Sequence, residues 1–359
     1  MKKRLIAMAA AVMVTTGMMA GCGSSESSGS SQTSETQNTA DTENSVAVQS
    51  EQKTYYYVGI NHNHPYWYDV HQGFEFATQQ FGCKVVKVGP DDFDFTAQAE
   101  ALEQAITKQP DGIIVPIFDA SILPGIKKAK EAGIPVVAIE SYMDGAEVDT
   151  YIGLDNVDAG RQTAVELINE AGDTGKVVVM GNYTAANTQQ KLDGFKSYLE
   201  ENSSWEILAE LDDNVDTSTA LETAKTAFNN YKDMTAIVGL DSSSGAGIAG
   251  AMEELSMEPG SITVVVHDRE VATLENIKSG YINCTLVNKT ASMPYYALAV
   301  LEQINKYHAE DIPISADNIA SDVNPIPSNM YTGVVFVRQD NVDNFLVENM
   351  TEIDSDLYE

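Results

Sequence analysis

The seven residues from Asn61 to Trp67, NHNHPYW, bring two amides, two imidazoles and two aromatic rings together. His62 and His64 stand two apart, and alternate residues of an extended chain point the same way, so the pair could begin a metal site. Such a site needs further ligands and a base. The chain holds five histidines, His62, His64, His71, His267 and His308, and only His267, followed by Asp268, offers itself. A metal-dependent hydrolase is therefore a remote alternative. No Ser-His-Asp or Cys-His arrangement and no phosphate-binding glycine loop stands out. Binding chemistry accounts for more of the residues. Polar or aromatic groups recur just after apolar runs: His62 and His64, Phe118 and Asp119, Glu140 and Ser141, Asn182, Asp241, His267 with Asp268, and Asn288. Carboxylates and amides there exchange hydrogen bonds with hydroxyls, at about 1.5–3 kcal/mol for each bond to a charged group. The faces of Tyr66 and Trp67 suit the apolar side of a sugar ring. Each residue also has a plainer role: an Asp after a strand often caps the next helix, and Tyr66 and Trp67 at helical spacing could be core.

The elements that must position these groups are readable from periodicity. Tyr55 to Ile60 is an apolar run of strand length, and Tyr66, Val70, Phe74, Ala77 and Phe81 recur at helical spacing before Gly82. Strands are predicted at 84–88, 113–117, 135–139 and 151–156, with helices at 96–108 and 121–132. After a helix over 157–171 the pattern restarts, with strands at 177–180, 207–211, 236–240, 262–266 and 281–287. Helices between them are predicted at 188–201, 218–230, 246–255 and 271–279. A helix over 294–308 returns to the first sheet, and a strand over 333–337 crosses again. Unbroken apolar strands alternating with amphipathic helices imply α/β architecture: two doubly wound parallel-sheet lobes joined by a three-segment hinge. The expected division is 54–154 plus 289–332 for one lobe and 155–288 plus 333–359 for the other, with Asp155, Asn156 and Asn288 at the hinge. Ligands of open α/β sheets bind at the carboxyl ends of strands, where the polar groups above lie.

The first fifty residues have another purpose. Lys2, Lys3 and Arg4 precede an apolar stretch, Leu5 to Met19, too short to span a bilayer comfortably. Met19-Ala20-Gly21-Cys22 resembles a bacterial lipobox, with Met where Leu is usual. The resemblance implies a signal peptide over 1–21 and a lipid on Cys22, anchoring the exported protein to the outer face of the cell membrane. Residues 22–53 have little to bury and read as a flexible tether. The formal net charge is -32, which disfavours nucleic acid and anionic membranes as electrostatic partners. Cys83 and Cys284 read as free, partly buried thiols rather than a disulfide framework.

From Tyr55 to Phe345 the chain resembles the ribose/galactose-type sugar-binding proteins of ABC importers, with the type I periplasmic-binding fold. The landmarks are His64-Pro65-Tyr66-Trp67, Pro110-Asp111-Gly112-Ile113-Ile114-Val115, Ala132-Gly133-Ile134-Pro135, Asp155-Asn156 with Gly160, Leu192-Asp193-Gly194-Phe195 and His267-Asp268. The resemblance implies sugar contacts at His64, Tyr66, Trp67, Glu140, Ser141, Gln189, Asp241, Asp268 and Asn288. Glu140-Ser141 stands where ribose binders of that family have Asp-Arg, and Gln189 where they have Arg. Three carboxylates with no matching arginine point away from ribose, towards a polyol, a hexose or an amino sugar, with or without a positive charge. The expected function is capture of such a ligand for an ABC permease by a monomer without cofactor or catalytic metal. The alternatives are a sugar sensor for a membrane histidine kinase and, remotely, a metal-dependent hydrolase in which His62-x-His64 resembles the start of an amidohydrolase barrel.

Overall fold

A computed structural model describes residues 52–64, 66–308 and 325–346. The export signal, Cys22, most of the tether, Pro65 and the tail beyond Leu346 lie outside the described residues.

The first sheet is built from β1 (Thr54–Val58), β2 (Lys84–Val88), β3 (Gly112–Val115), β4 (Val136–Glu140) and β5 (Thr150–Gly153), with helices α1 (Tyr66–Phe81), α2 (Phe95–Thr107) and α3 (Leu123–Glu131) between strands. Strand alternation explains why both faces are covered. Tyr55 and Tyr57 of β1 pack with Trp67, Val70 and Phe74 of α1, whereas Val58 packs with Leu102 and Ile106 of α2 and Ile126 of α3. The second sheet takes α4 (Asn156–Ala171), β6 (Thr174–Met180), α5 (Ala186–Asn202), β7 (Ser204–Leu211), α6 (Thr217–Asn230), β8 (Ala236–Gly239), α7 (Ser244–Glu254), β9 (Thr263–His267), α8 (Val271–Ser279) and β10 (Cys284–Asn288). Val178 and Met180 of β6 face the α6–α7 core, and Val177 and Val179 face α4 and α5. The chain then returns through α9 (Ser292–Tyr307), which packs on α1 and the first sheet, and ends with β11 (Asn329–Tyr331) and β12 (Val334–Arg338).

The strand orders are β11-β5-β4-β3-β1-β2 and β12-β10-β9-β8-β6-β7. Each strand of one sheet has a counterpart at the same place in the other, so β4 corresponds to β9 and β5 to β10. The chain passes between the sheets three times: at Leu154-Asp155, at 289–291 and at Thr332-Gly333. The α/β class and the two doubly wound sheets match the sequence reading. Two details differ. Strand β11 was not expected, because three residues shortly after Pro325 and Pro327 carry no apolar run. Strand β12 is antiparallel to β10, unlike every other pairing given. Two residues of crossing leave no room for the helix that a parallel return requires.

Cys83 and Cys284 are free and buried, and burial pushes both thiols up. Among the described residues no helix is long and apolar enough to cross a membrane.

Helices α4 and α5 touch backbone to backbone through glycine. A Cβ at Gly160 would lie 1.8 Å from the Lys191 carbonyl oxygen, and one at Gly194 would lie 1.9 Å from that of Val157. Neither neighbour is a side-chain tip that can swing away. Gly160→Ala is therefore predicted to destabilise the protein by about 1–3 kcal/mol, read as a lower urea midpoint. An unchanged midpoint would show that the helices have slack.

Candidate ligand-binding site

A cavity of about 60 Å³ lies between the carboxyl ends of the two sheets. His64, Tyr66, Trp67, Phe118 and Glu140 line it from the first, and Asp241 and Asp268 from the second. Strand ends converge there because both sheets are parallel-wound and face each other, so their polar terminal residues meet.

Glu140 and Asp268 occupy equivalent positions, one as the last residue of β4 and the other directly after β9. Both are left-handed, with φ of 64° and 69°. For a residue with a Cβ this conformation costs roughly 1–3 kcal/mol. Each is held from the neighbouring strand: Tyr151 Oη of β5 lies 2.9 Å from the Glu140 carbonyl oxygen, and Thr285 Oγ1 of β10 donates to that of Asp268 at 2.6 Å.

The carboxylates have unequal partners. Glu140 Oε2 accepts from Tyr66 Oη and from Asn288 Nδ2, the latter at 2.8 Å. Asp241 Oδ2 accepts from Asn182 N at 2.8 Å, and its Oδ1 accepts from Ser243 N at 3.0 Å and Ser244 Oγ at 3.2 Å. Asp241 thus lines the cavity while fastening the start of α7. Behind it, burial and then the charge of Asp241 push the Asp213 carboxyl well above the usual range. Asp268 differs: no hydrogen-bond partner of its carboxylate is found among the described residues, although the residue is only 9% exposed. Burial drives its carboxyl up to about 7, with Glu140 and Asp241 adding to the rise and Lys191 opposing it. Burial likewise raises Glu140, against the charge of Lys191 and its two hydrogen bonds.

Lys191 is the group that sequence reasoning missed. It projects from α5, is 4% exposed, lines the cavity and donates to the Leu240 carbonyl oxygen at 3.1 Å. The carboxylates therefore do have a cation among them, though not an arginine. A lysine on an amphipathic helix reads as solvated surface, and only the packing of α5 against the end of β8 turns it inward. Asn61, Phe93, Asn187, Thr188 and Ser242 also line the cavity without having been singled out as contacts.

The aromatic wall is Trp67, Phe118 and Phe93. Trp67 and Phe118 meet edge to face at 6.3 Å, and Phe93 and Phe118 at 5.5 Å. His64 Nδ1 accepts from Tyr66 N at 3.2 Å, which leaves the ring proton on Nε2, and burial lowers its pKa. A neutral imidazole donor, a lysine, carboxylates and an aromatic face together can hold a ring bearing hydroxyls.

Several candidates fall elsewhere. His62 bonds the Val88 carbonyl oxygen through Nε2 at 3.1 Å and packs on Tyr57 and His71. The strand has ended at Val58, and Asn61, with φ of 53°, reverses the chain, so His62 and His64 do not share a side. No cluster of three potential metal ligands exists among the described residues. Asp119 accepts from Ser121 N at 2.8 Å as the cap of a short 3-10 helix, Ala120–Ile122. Ser141 is fully buried away from the cavity lining. Gln189 is off the lining and donates to the Tyr183 carbonyl oxygen at 2.5 Å. His267 is buried against Thr163 Oγ1 at 2.8 Å, and Asn182 turns its own loop through Thr184. Asn288 lies behind the cavity, tied to Glu140 and, through Oδ1, to Thr332 Oγ1 at 3.0 Å. Asp155 caps α4 by accepting from Asp158 N at 3.0 Å, and Asn156 Nδ2 donates to Gln190 Oε1 at 3.1 Å.

Direct bonds also join the two sides. Arg269, after β9, donates to Asp69 of α1 from Nε at 3.0 Å and from Nη2 at 2.5 Å, and Thr290 Oγ1 donates to the same carboxylate at 3.1 Å. Ala186 N donates to the Phe118 carbonyl oxygen at 3.2 Å, and Gln190 Nε2 to that of Tyr142 at 3.1 Å.

Comparison with known proteins gives the family and the fold. The family described as "Periplasmic binding protein domain" matches residues 55–309. The xylose/arabinose-binding protein XylF of Sulfolobus acidocaldarius is 23% identical over 326 residues, covering 86% of this chain and 77% of that protein. The solved sugar-binding protein of a sugar ABC transporter from Bacillus halodurans superposes with a TM-score of 0.73 at 27% identity, covering 82% of this chain and 100% of that one. A chain of the XylFII-LytSN complex has the same fold, with a TM-score of 0.71 at 23% identity, over 80% of this chain and 98% of that one.

A raised carboxyl pKa means that the folded protein keeps a proton the unfolded chain has lost. The sign is then fixed: stability falls as pH rises from about 4 to about 7. Asp268→Asn should flatten this fall, seen as a smaller difference in melting temperature between pH 5 and pH 7.5 than in the wild type. Equal differences would mean that Asp268 is ionised throughout.

Proposed function

The chain belongs to the periplasmic binding protein domain family, as a type I periplasmic sugar-binding protein, and from that premise we propose that it captures a sugar or related polyol or amino sugar outside the cytoplasm for an ABC importer. One observation carries the reading: the unpartnered Asp268 carboxylate, the Lys191 ammonium and the His64 imidazole converge with the Trp67–Phe118 wall in one cavity between the sheets. The sugar ring stacks on the wall, and its hydroxyls bond Asp268, Glu140 and Lys191. Tethered through a lipidated Cys22, the protein stays at the outer face of the membrane.

The ligand acts by closure. It touches both lobes, so it favours the shut state by its differential affinity for that state. Asp155, Asn156 and Asn288, beside the crossings, serve as the hinge. The Asp69–Arg269 pair adds to the shut state because it spans the same two sides. A permease then reads the shut form. Reporting to a membrane sensor instead is a second reading, favoured by the shared fold with the XylFII-LytSN chain. Crosslinking in intact cells at saturating ligand distinguishes the two by whether permease subunits or a histidine kinase is recovered.

Thermal shift against pentoses, hexoses, polyols and amino sugars is the direct test. A ligand at 100 times its Kd should add about 2.7 kcal/mol of apparent stability. Failure of every compound to shift the transition would overturn the reading. With a ligand in hand, Arg269→Ala should weaken binding about fivefold, corresponding to about 1 kcal/mol for a partly exposed pair, chiefly through faster dissociation. Unchanged kinetics would remove the pair from closure.

A further inference from the structure

Behind the sugar cavity lies a second chamber, of about 160 Å³, whose lining no family landmark singled out as a whole. Asp268 borders both spaces, and Tyr66 also faces both. The rest of the wall includes Asp69, Arg269, Glu270 and Asn288.

The balance of donors and acceptors there is uneven. Glu270 Oε2 is buried without a hydrogen-bond partner. The Asp268 carboxylate has no partner among the described residues. The neighbouring donors are engaged with other groups: Arg269 grips Asp69 through Nε and Nη2, Thr290 Oγ1 donates to Asp69, and the Tyr66 hydroxyl and the Asn288 amide both donate to Glu140. Asp268 and Glu270 thus border a chamber in which no described side chain donates to the Asp268 carboxylate or to Glu270 Oε2, while the Glu270 carboxyl has a bond from its own backbone N–H. Leaving buried acceptors unmade is unfavourable, and leaving buried charge unpaired is more so. Among the described residues no three ligands converge to hold a metal ion. A water molecule brings two donors and no charge. A primary ammonium brings three donors and a positive charge beyond those of Lys191, which already acts on Asp268, and of Arg269, which already acts on Glu270.

We propose that the second chamber is a subsite for a protonated amino group carried by the ligand, held between Asp268 and Glu270 while the ring occupies the first cavity. This rests on the sugar-binding reading above and narrows its ligand to an amine-bearing sugar or amino polyol. Lys191 lines the ring cavity and not this chamber, and Arg269, which does line the chamber, has its charge paired with Asp69.

The test is calorimetry on the exported form of the chain, with neutral sugars, the corresponding amino sugars and their N-acetyl derivatives as matched sets. At least one amine should bind about ten- to a hundredfold more tightly than its neutral parent, and acetylation should abolish the gain. In Glu270→Gln the ratio of amine to parent affinity should fall to within about threefold. Neutral sugars binding as tightly as their amines would overturn the subsite and leave the sugar-binding reading intact. In that case Asp268 and Glu270 share a proton or solvate water. A preference for the amine that survives in Glu270→Gln would also overturn it. Binding of no member of any set would overturn both readings. The wild-type comparison stands by itself should the variant fail to fold.

Discussion

Charge burial constrains this molecule more than any other interaction. Glu140 and Asp268 end equivalent strands of two similar sheets, face the same space, and are shielded from water. Their mutual repulsion and desolvation work against folding. Lys191, the Tyr66 hydroxyl and the Asn288 amide offset part of that, mostly at Glu140. Asp268 is left with its need unmet. That condition, on a strained left-handed residue whose carbonyl is held by Thr285, is what supports the proposal that a ligand completes Asp268.

The remaining architecture follows from holding those two strand ends opposite each other. Parallel winding puts the strand termini on one edge of each sheet. Three crossings keep the edges face to face while leaving the lobes joined by short segments only. Asn288 lies at the centre of this arrangement: it ends β10, donates to Glu140 in the other sheet, and accepts from Thr332 at the third crossing. A change at Glu140 is thus one hydrogen bond from the second crossing and two from the third. The glycine contact between α4 and α5 matters for a related reason, because it sets the backbone of Lys191, the cation in the cavity.

Much of this was legible from residues. The helix after the first strand ends at Phe81, before Gly82 with φ of 66°, as the apolar spacing and the C-cap glycine required. The restart of the pattern, read at 177–180, marks the second sheet, whose first strand runs Thr174–Met180. The groups the structure brings together from the sequence reading, His64, Tyr66, Trp67, Phe118, Glu140, Asp241 and Asp268, were singled out because strand ends and the loops after them are where such sheets present side chains. What escaped depended on three-dimensional detail. Lys191 and Phe93 give no signal, since one sits on an amphipathic helix and the other in a loop. His62 was misleading because the strand stops at Val58 and a left-handed Asn61 breaks the alternation. Asp119 and Asp241 look alike in sequence, yet one caps a short helix away from the cavity and the other fastens the start of α7 while lining it.

The central claim is that Asp268 completes its hydrogen bonds with a ligand shared by both lobes. A crystal structure with a bound compound tests it most directly. The account predicts ligand donors within about 3.2 Å of the Asp268 carboxylate, with a ring face on Trp67. A bound ligand that leaves Asp268 without contact, or that occupies a surface away from the space between the sheets, would contradict it.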